Sequence, residues 1–192
     1  MAFYFARDHR QKYRFFSADP ERELTVGASR TKKIWELAKK KLLRLPQRTL
    51  RQEQAFIKAL KLDAENVLIF HSGCHSEKRL RFRFSLFLNK QRSKHIILLI
   101  GESLVLPVSG LAALLPGPNI FFYALALLMI TQWQALRGIN RLARKKFDFR
   151  ADASFLEWEE AVLKAREDRY DAILRQIEAE HGFSQLNKIL WK

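Results

Sequence analysis

The stretch from His95 to Trp133, HIILLIGESLVLPVSGLAALLPGPNIFFYALALLMITQW, constrains this chain more than any other. Carried on to Leu136 it runs for 42 residues, with Glu102 as its sole acidic residue and no Lys or Arg. A helix needs about 20 apolar residues to cross the hydrocarbon core of a bilayer. Ile96 to Leu115 supplies 20, interrupted by Gly101, Glu102, Ser103, Pro107, Ser109 and Gly110. Two prolines around a glycine in Leu115-Pro116-Gly117-Pro118-Asn119 then remove two backbone donors and stop the helix. The second run, Ile120 to Leu136, has 17 residues and sits at the short end of the spanning range. These lengths predict a two-helix transmembrane or re-entrant hairpin over 95–136, with its turn at 116–119. The competing reading is a buried soluble hairpin at the centre of a helical domain. Against it, a core helix is usually shorter, and so long an apolar stretch is hard to bury in a small chain.

Charge on the flanks sets the expected orientation. Residues 1–94 carry 23 Lys and Arg against 9 Asp and Glu, and Arg137, Arg141, Arg144, Lys145 and Lys146 follow the second run directly. Basic residues beside membrane ends favour the cytoplasmic or matrix side. Both termini are therefore expected there, at a bacterial or mitochondrial inner membrane, with those five basic residues facing anionic lipid. Such residues gain about 1 kcal/mol each near a negative surface. Nucleic acid would attract the same charge, so the net +15 does not by itself choose a partner. A single cysteine, Cys74, excludes an intrachain disulfide and fits a reducing compartment. The opening MAFYFARDHRQKYRFF lacks the apolar core of a secretory signal, and its Asp8 and alternating pattern are unlike a transit peptide.

On either side of the apolar stretch the pattern is α+β. Phe3 and Phe5, then Tyr13 and Phe15, alternate with their neighbours and predict a short strand pair. Helices are expected from Ser29 to about Leu45, ended by Pro46, and from Gln47 to about Lys61. Asn66 to Phe70 reads as a strand, and Leu80, Phe82, Phe84, Leu86 and Leu88 alternate as another, joined to it by a hairpin loop over His71 to Lys78. Beyond the stretch, Ser154 and Glu157 have capping-box spacing. Leu156, Leu163, Tyr170 and Ile177 fall seven apart on one amphipathic helix closed by Gly182, and a last short helix lies within Phe183 to Trp191. Three segments result: a basic soluble α+β domain at 1–94, the membrane hairpin at 95–136, and a basic juxtamembrane segment with an acidic amphipathic helix at 137–192.

Few residues point to chemistry. Glu102 is a carboxylate within an apolar segment, where such a group commonly marks an ion or proton path; the bland alternative is that it snorkels to the nearby interface. The break at Pro116, Pro118 and Asn119 offers free carbonyls to a cation, as broken transporter helices do, or is simply a turn with Asn119 capping the second helix. His71, Cys74 and His75 cluster as three ligands in one short loop with no second cysteine pair, a pattern that argues against a metal site there. Glu157, Glu159 and Glu160 read as a helix start offsetting the dipole. Neither a phosphate-cradling glycine loop nor a nucleophile elbow occurs, so the chain reads as a non-enzyme without cofactor or metal.

The order of elements, together with Pro107, Ser109, Leu114, Leu115, Pro116 and Asn119, the aromatic run Phe121-Phe122-Tyr123, and Trp133, Gln134, Ala135, Leu136 and Gly138, resembles the mitochondrial potassium/proton exchange-related proteins. Members tend to carry an Arg and a His where Leu128 and Gln132 stand here. The resemblance implies a part in monovalent cation/proton exchange, as subunit or regulator, with potassium and protons as the ions. Glu102, Pro107, Ser109, Pro116, Pro118, Asn119 and Gln132 are the candidate path residues. A lone hairpin provides too little wall for a pore, so an oligomer or a protein partner is expected. The alternative is a non-transporting membrane-anchored adaptor that binds anionic lipid and a protein. A soluble nucleic-acid binder using Arg79, Arg81, Arg83, Lys90, Arg92 and Lys94 ranks behind both.

Overall fold

The computed structural model describes residues 1–17, 47–60, 66–111, 120–182 and 186–191. The expected helix from Ser29 to Leu45 and the turn at 116–119 lie outside these residues. Four strands form one sheet in the order β2-β1-β3-β4, where β1 is Ala2–Arg7, β2 Tyr13–Ser17, β3 Asn66–His71 and β4 Lys146–Ala151. β1 pairs antiparallel with β2, placing Phe5 opposite Phe15, and parallel with β3. β4 joins β3 in parallel, with Asn66 opposite Lys146. The helices are α1 Gln47–Ala59, α2 Glu77–Leu111, α3 Ile120–Leu142, α4 Ala153–Leu163, α5 Tyr170–His181 and α6 Asn187–Leu190.

By contacts the chain divides into two units. One holds Met1–Ala55, Ala64–Arg81 and Lys146–Lys192; the other holds Phe56–Asp63 and Phe82–Lys145. In the sheet unit, successive residues of β1 point to opposite faces. Both faces are closed off: Phe3 and Phe5 are buried on one, Tyr4 and Ala6 on the other. Phe5 stacks on Tyr13 at 4.9 Å between ring centroids. Tyr4 and Phe16 share a core with Phe155, Trp158 and Val162 of α4, Ile173, Leu174 and Ile177 of α5, and Leu190 of α6. Such aromatic packing dominates the energetics of a small core. Trp158 finds its polar partner in the Arg7 carbonyl, at 2.7 Å.

Several expectations are overturned. Among the described residues, no helix is long and apolar enough to cross a membrane, so the transmembrane or re-entrant hairpin over 95–136 is corrected. Helix boundaries do not follow the apolar run. α2 begins at Glu77 and spends its first half among Lys78, Arg79, Arg81, Arg83, Lys90, Arg92 and Lys94, while α3 continues through Arg137 and Arg141.

The strand expected over Leu80 to Leu88 is instead part of α2. Leu80, Phe84 and Leu88 are buried whereas Phe82 and Leu86 are exposed. Every second apolar position of an alternating pattern also satisfies the four-residue spacing of a helix face, and here the helical choice wins. Conversely, residues 146–151 form β4 rather than a juxtamembrane segment, because Phe147 and Phe149 alternate with Asp148 and Arg150.

The predicted acidic helix also breaks in two. Ala165 adopts a left-handed φ of 50°, and a 3-10 turn at Glu167–Arg169 separates α4 from α5. The spacing of seven therefore marks no common face: Tyr170 and Ile177 are buried, but Leu156 and Leu163 are exposed. Asp152, two residues ahead of Ser154, is the cap, accepting from the Ser154 N–H at 3.0 Å. Gly182 does close α5, in the left-handed conformation with φ 67°.

Candidate functional site

In the helical unit, the buried side of α3 is the stripe Gln132, Ala135, Leu136, Ile139 and Leu142. That spacing of three and four is the signature of one helix face. Gly138 lies beside the stripe, where α3 meets Phe56 so closely that a methyl group would overlap the Phe56 carbonyl. The Phe56 ring stands edge-on to His95, 6.3 Å between centroids, and also meets Phe87. His95 is 1% exposed and Gln132 5%, and the His95 Nδ1–H donates to Gln132 Oε1. This arrangement requires the proton on Nδ1 and satisfies a buried polar pair.

The opposite side of α2 is apolar and open to solvent. Phe82, Leu86, Ile97, Ile100 and Leu104 are exposed, Ile97 and Leu104 the most, at 68% and 73%. At 100° per residue these five, together with Lys90 and Ser93, fall within a sector of about 80°. Arg83 and Lys94, both exposed, lie on its border. On α3, Leu127, Ile130 and Trp133 are exposed at a spacing of three, followed by exposed Arg137, Arg141 and Arg144. Arg141 donates to the Leu60 carbonyl.

The sequence-predicted path residues distribute unevenly over this arrangement. Glu102 is half-buried within α2, and Pro107 is exposed in the same helix, where its missing N–H leaves the Ser103 carbonyl without its helical donor. Ser109 belongs to α2 as well. Pro116, Pro118 and Asn119 lie outside the described residues. Gln132 is brought against His95, a partner 37 positions away that sequence reasoning did not supply. Of the expected lipid-facing basic residues, Arg137, Arg141 and Arg144 share an exposed face of α3 or its end, Lys145 is half-buried, and Lys146 opens β4.

A second polar group is internal to the sheet unit. Arg7 donates to the Tyr13 hydroxyl at 2.9 Å and lies over its ring, and that hydroxyl donates to Glu159 Oε2 at 3.3 Å. Glu159 is 2% exposed. Burial pushes its carboxyl up, which the Ser72 and Tyr13 hydroxyls and Arg7 only partly offset. Burial likewise lowers His71, whose Nδ1 accepts from the Gly73 N–H at 2.9 Å. At the β1–β2 turn the balance reverses. Burial pushes Asp8 up, but the Lys12 N–H, at 2.8 Å, and the Arg14 guanidinium outweigh it and hold the carboxyl below its usual range. Arg7 and Tyr13 thereby tie the ends of β1 and β2 to Glu159 of α4.

No match is found among curated proteins or among solved structures. The mitochondrial K+-H+ exchange-related family model matches residues 22–145, about two thirds of the chain and including α1, β3, α2 and α3, and the chain belongs to that family.

Proposed function

We propose that the chain is an accessory component of potassium/proton exchange, one that does not carry the ions itself and that rests the exposed apolar sector of α2 on an anionic lipid surface. The observation that carries this reading is the apolar sector of Phe82, Leu86, Ile97, Ile100 and Leu104, with Lys90 inside it and Arg83 and Lys94 on its border. Apolar side chains supply burial at the acyl boundary, and each basic neighbour adds about 1 kcal/mol of attraction that salt screens. Family membership supplies the link to exchange and to a mitochondrial setting.

Two measurements test it. Purified chain is expected to sediment with phosphatidylglycerol-containing vesicles, far more weakly with phosphatidylcholine alone, and less as salt rises. Ile97→Asp with Leu104→Asp should abolish sedimentation without altering the circular dichroism. Membranes from cells lacking the chain should exchange potassium for protons at an altered rate, restored by wild type and not by the double variant. Equal binding by the double variant, or exchange indifferent to the chain, overturns the proposal.

A further inference from the structure

Outside the helical unit, the two ends of the α4–α5 pair bring together groups that the network around Glu159 does not use. Asp152 caps α4 at the carboxyl end of β4, while Glu180 and His181 are the last two residues of α5 before Gly182 turns the chain. Their ligand atoms all lie within 4.8 Å of one another. His181 Nε2 stands 2.9 Å from Asp152 Oδ2. The other carboxylate oxygen, Oδ1, is already occupied by the N–H and hydroxyl of Ser154. Capping therefore uses Oδ1, while Oδ2 is the oxygen turned to His181.

The surroundings fix these groups in place. Tyr4 and Phe70 approach the His181 ring at 5.3 Å and Phe155 at 5.7 Å, so the imidazole is walled on several sides. The Asp152 N–H is anchored on the His71 carbonyl at 2.8 Å. Glu180 is exposed and also accepts from Gln176 at 3.0 Å, which leaves the outer side open to water. The direct contact between His181 and Asp152 accounts for two of the three groups, and Glu180 brings a second carboxylate within reach of them.

We propose that Asp152, Glu180 and His181 form a binding site for one divalent transition cation of the zinc or manganese type. One imidazole and two carboxylates are a borderline donor set that suits these ions, whereas magnesium and calcium prefer oxygen alone. Bonds of about 2.1 Å place neighbouring ligand atoms about 3.4 Å apart in a tetrahedron and about 3.0 Å apart in an octahedron, so the His181–Asp152 contact at 2.9 Å needs only a small opening to admit the ion. Walling of the ring and the anchoring of Asp152 supply the outer support that metal ligands need. Water completes the coordination on the Glu180 side.

Chelator-treated full chain titrated with zinc chloride in a calorimeter, then with manganese and magnesium chlorides, tests the site. One zinc per chain is expected, with magnesium far weaker. Glu180→Gln, at an exposed position that leaves the fold intact, should weaken zinc about tenfold or more. Asp152→Asn, which keeps an N-cap residue, should do the same, and His181→Gln should abolish binding. Absence of zinc binding overturns the site. So does binding unchanged by Glu180→Gln, or binding lost instead in Cys74→Ser or His75→Gln.

Discussion

Phe3, Phe5 and Phe16 in the sheet unit are closed off from solvent, whereas Phe82, Ile97 and Leu104 in the helical unit stand in it. The difference arises from geometry more than from composition. A strand has two faces, and here the face bearing Tyr4 and Phe16 is covered by α4 and α5. A helix has a full circumference, so an apolar run winds around it and its buried stripe takes only part. A long hydrophobic stretch therefore reports how much apolar surface a chain carries, not where that surface ends up.

The largest expected effect breaks the covered side of this contrast. Trp158→Ala removes a fully buried ring and its bond to the Arg7 carbonyl, and should cost about 3–5 kcal/mol in urea denaturation. Next comes Gly138→Ala in the helical unit. Alanine gains about 1 kcal/mol of helix propensity over glycine, but its methyl would overlap the Phe56 carbonyl, and overpacking at about 1–3 kcal/mol should leave a net loss by thermal melting.

Smaller, and different in sign between two carboxylates, is the response to pH. The folded-state value of Glu159 is raised above its usual 4.5. Its contribution to stability is therefore greatest below that value and declines as pH climbs through the raised folded value. Glu159→Gln should flatten this decline in denaturation curves taken at increasing pH. Asp8, held below its usual 3.8, behaves oppositely, and its contribution disappears as pH falls through the lowered value. Smallest is Ile97→Ser, expected to change stability by less than about 0.5 kcal/mol because the side chain is mostly exposed. A loss comparable to that of Trp158→Ala would mean that the face of α2 is covered after all.

Local pattern made part of the fold readable. Alternation at Phe3, Phe5, Tyr13 and Phe15 marks β1 and β2, the apolar run Asn66 to Phe70 marks β3, and the stop at Gly182 marks the end of α5. Ambiguity of period misled at Leu80 to Leu88, where two and four coincide, and charge obscured β4, whose Phe147 and Phe149 follow five basic residues. The candidate site was less legible. Gln132 was singled out, but its pairing with His95 spans 37 positions and leaves no periodic trace. The apolar sector of α2 was present in the spacing of Phe82, Leu86, Ile97, Ile100 and Leu104, hidden because the first two were assigned to a strand. Asp152, Glu180 and His181 meet only because the chain folds back between α4 and α5.

The pairing of Asn66 with Lys146 has a consequence for how the molecule is built. The last strand cannot seat until everything between has been synthesised, so completion of the sheet is a late, long-range event. Closure entropy grows slowly, by about 0.6 kcal/mol for each doubling of the intervening length. The long detour through α2 and α3 therefore adds little to the entropic cost of bringing Lys146 back beside Asn66, and the packing within that detour has its own core to offset it.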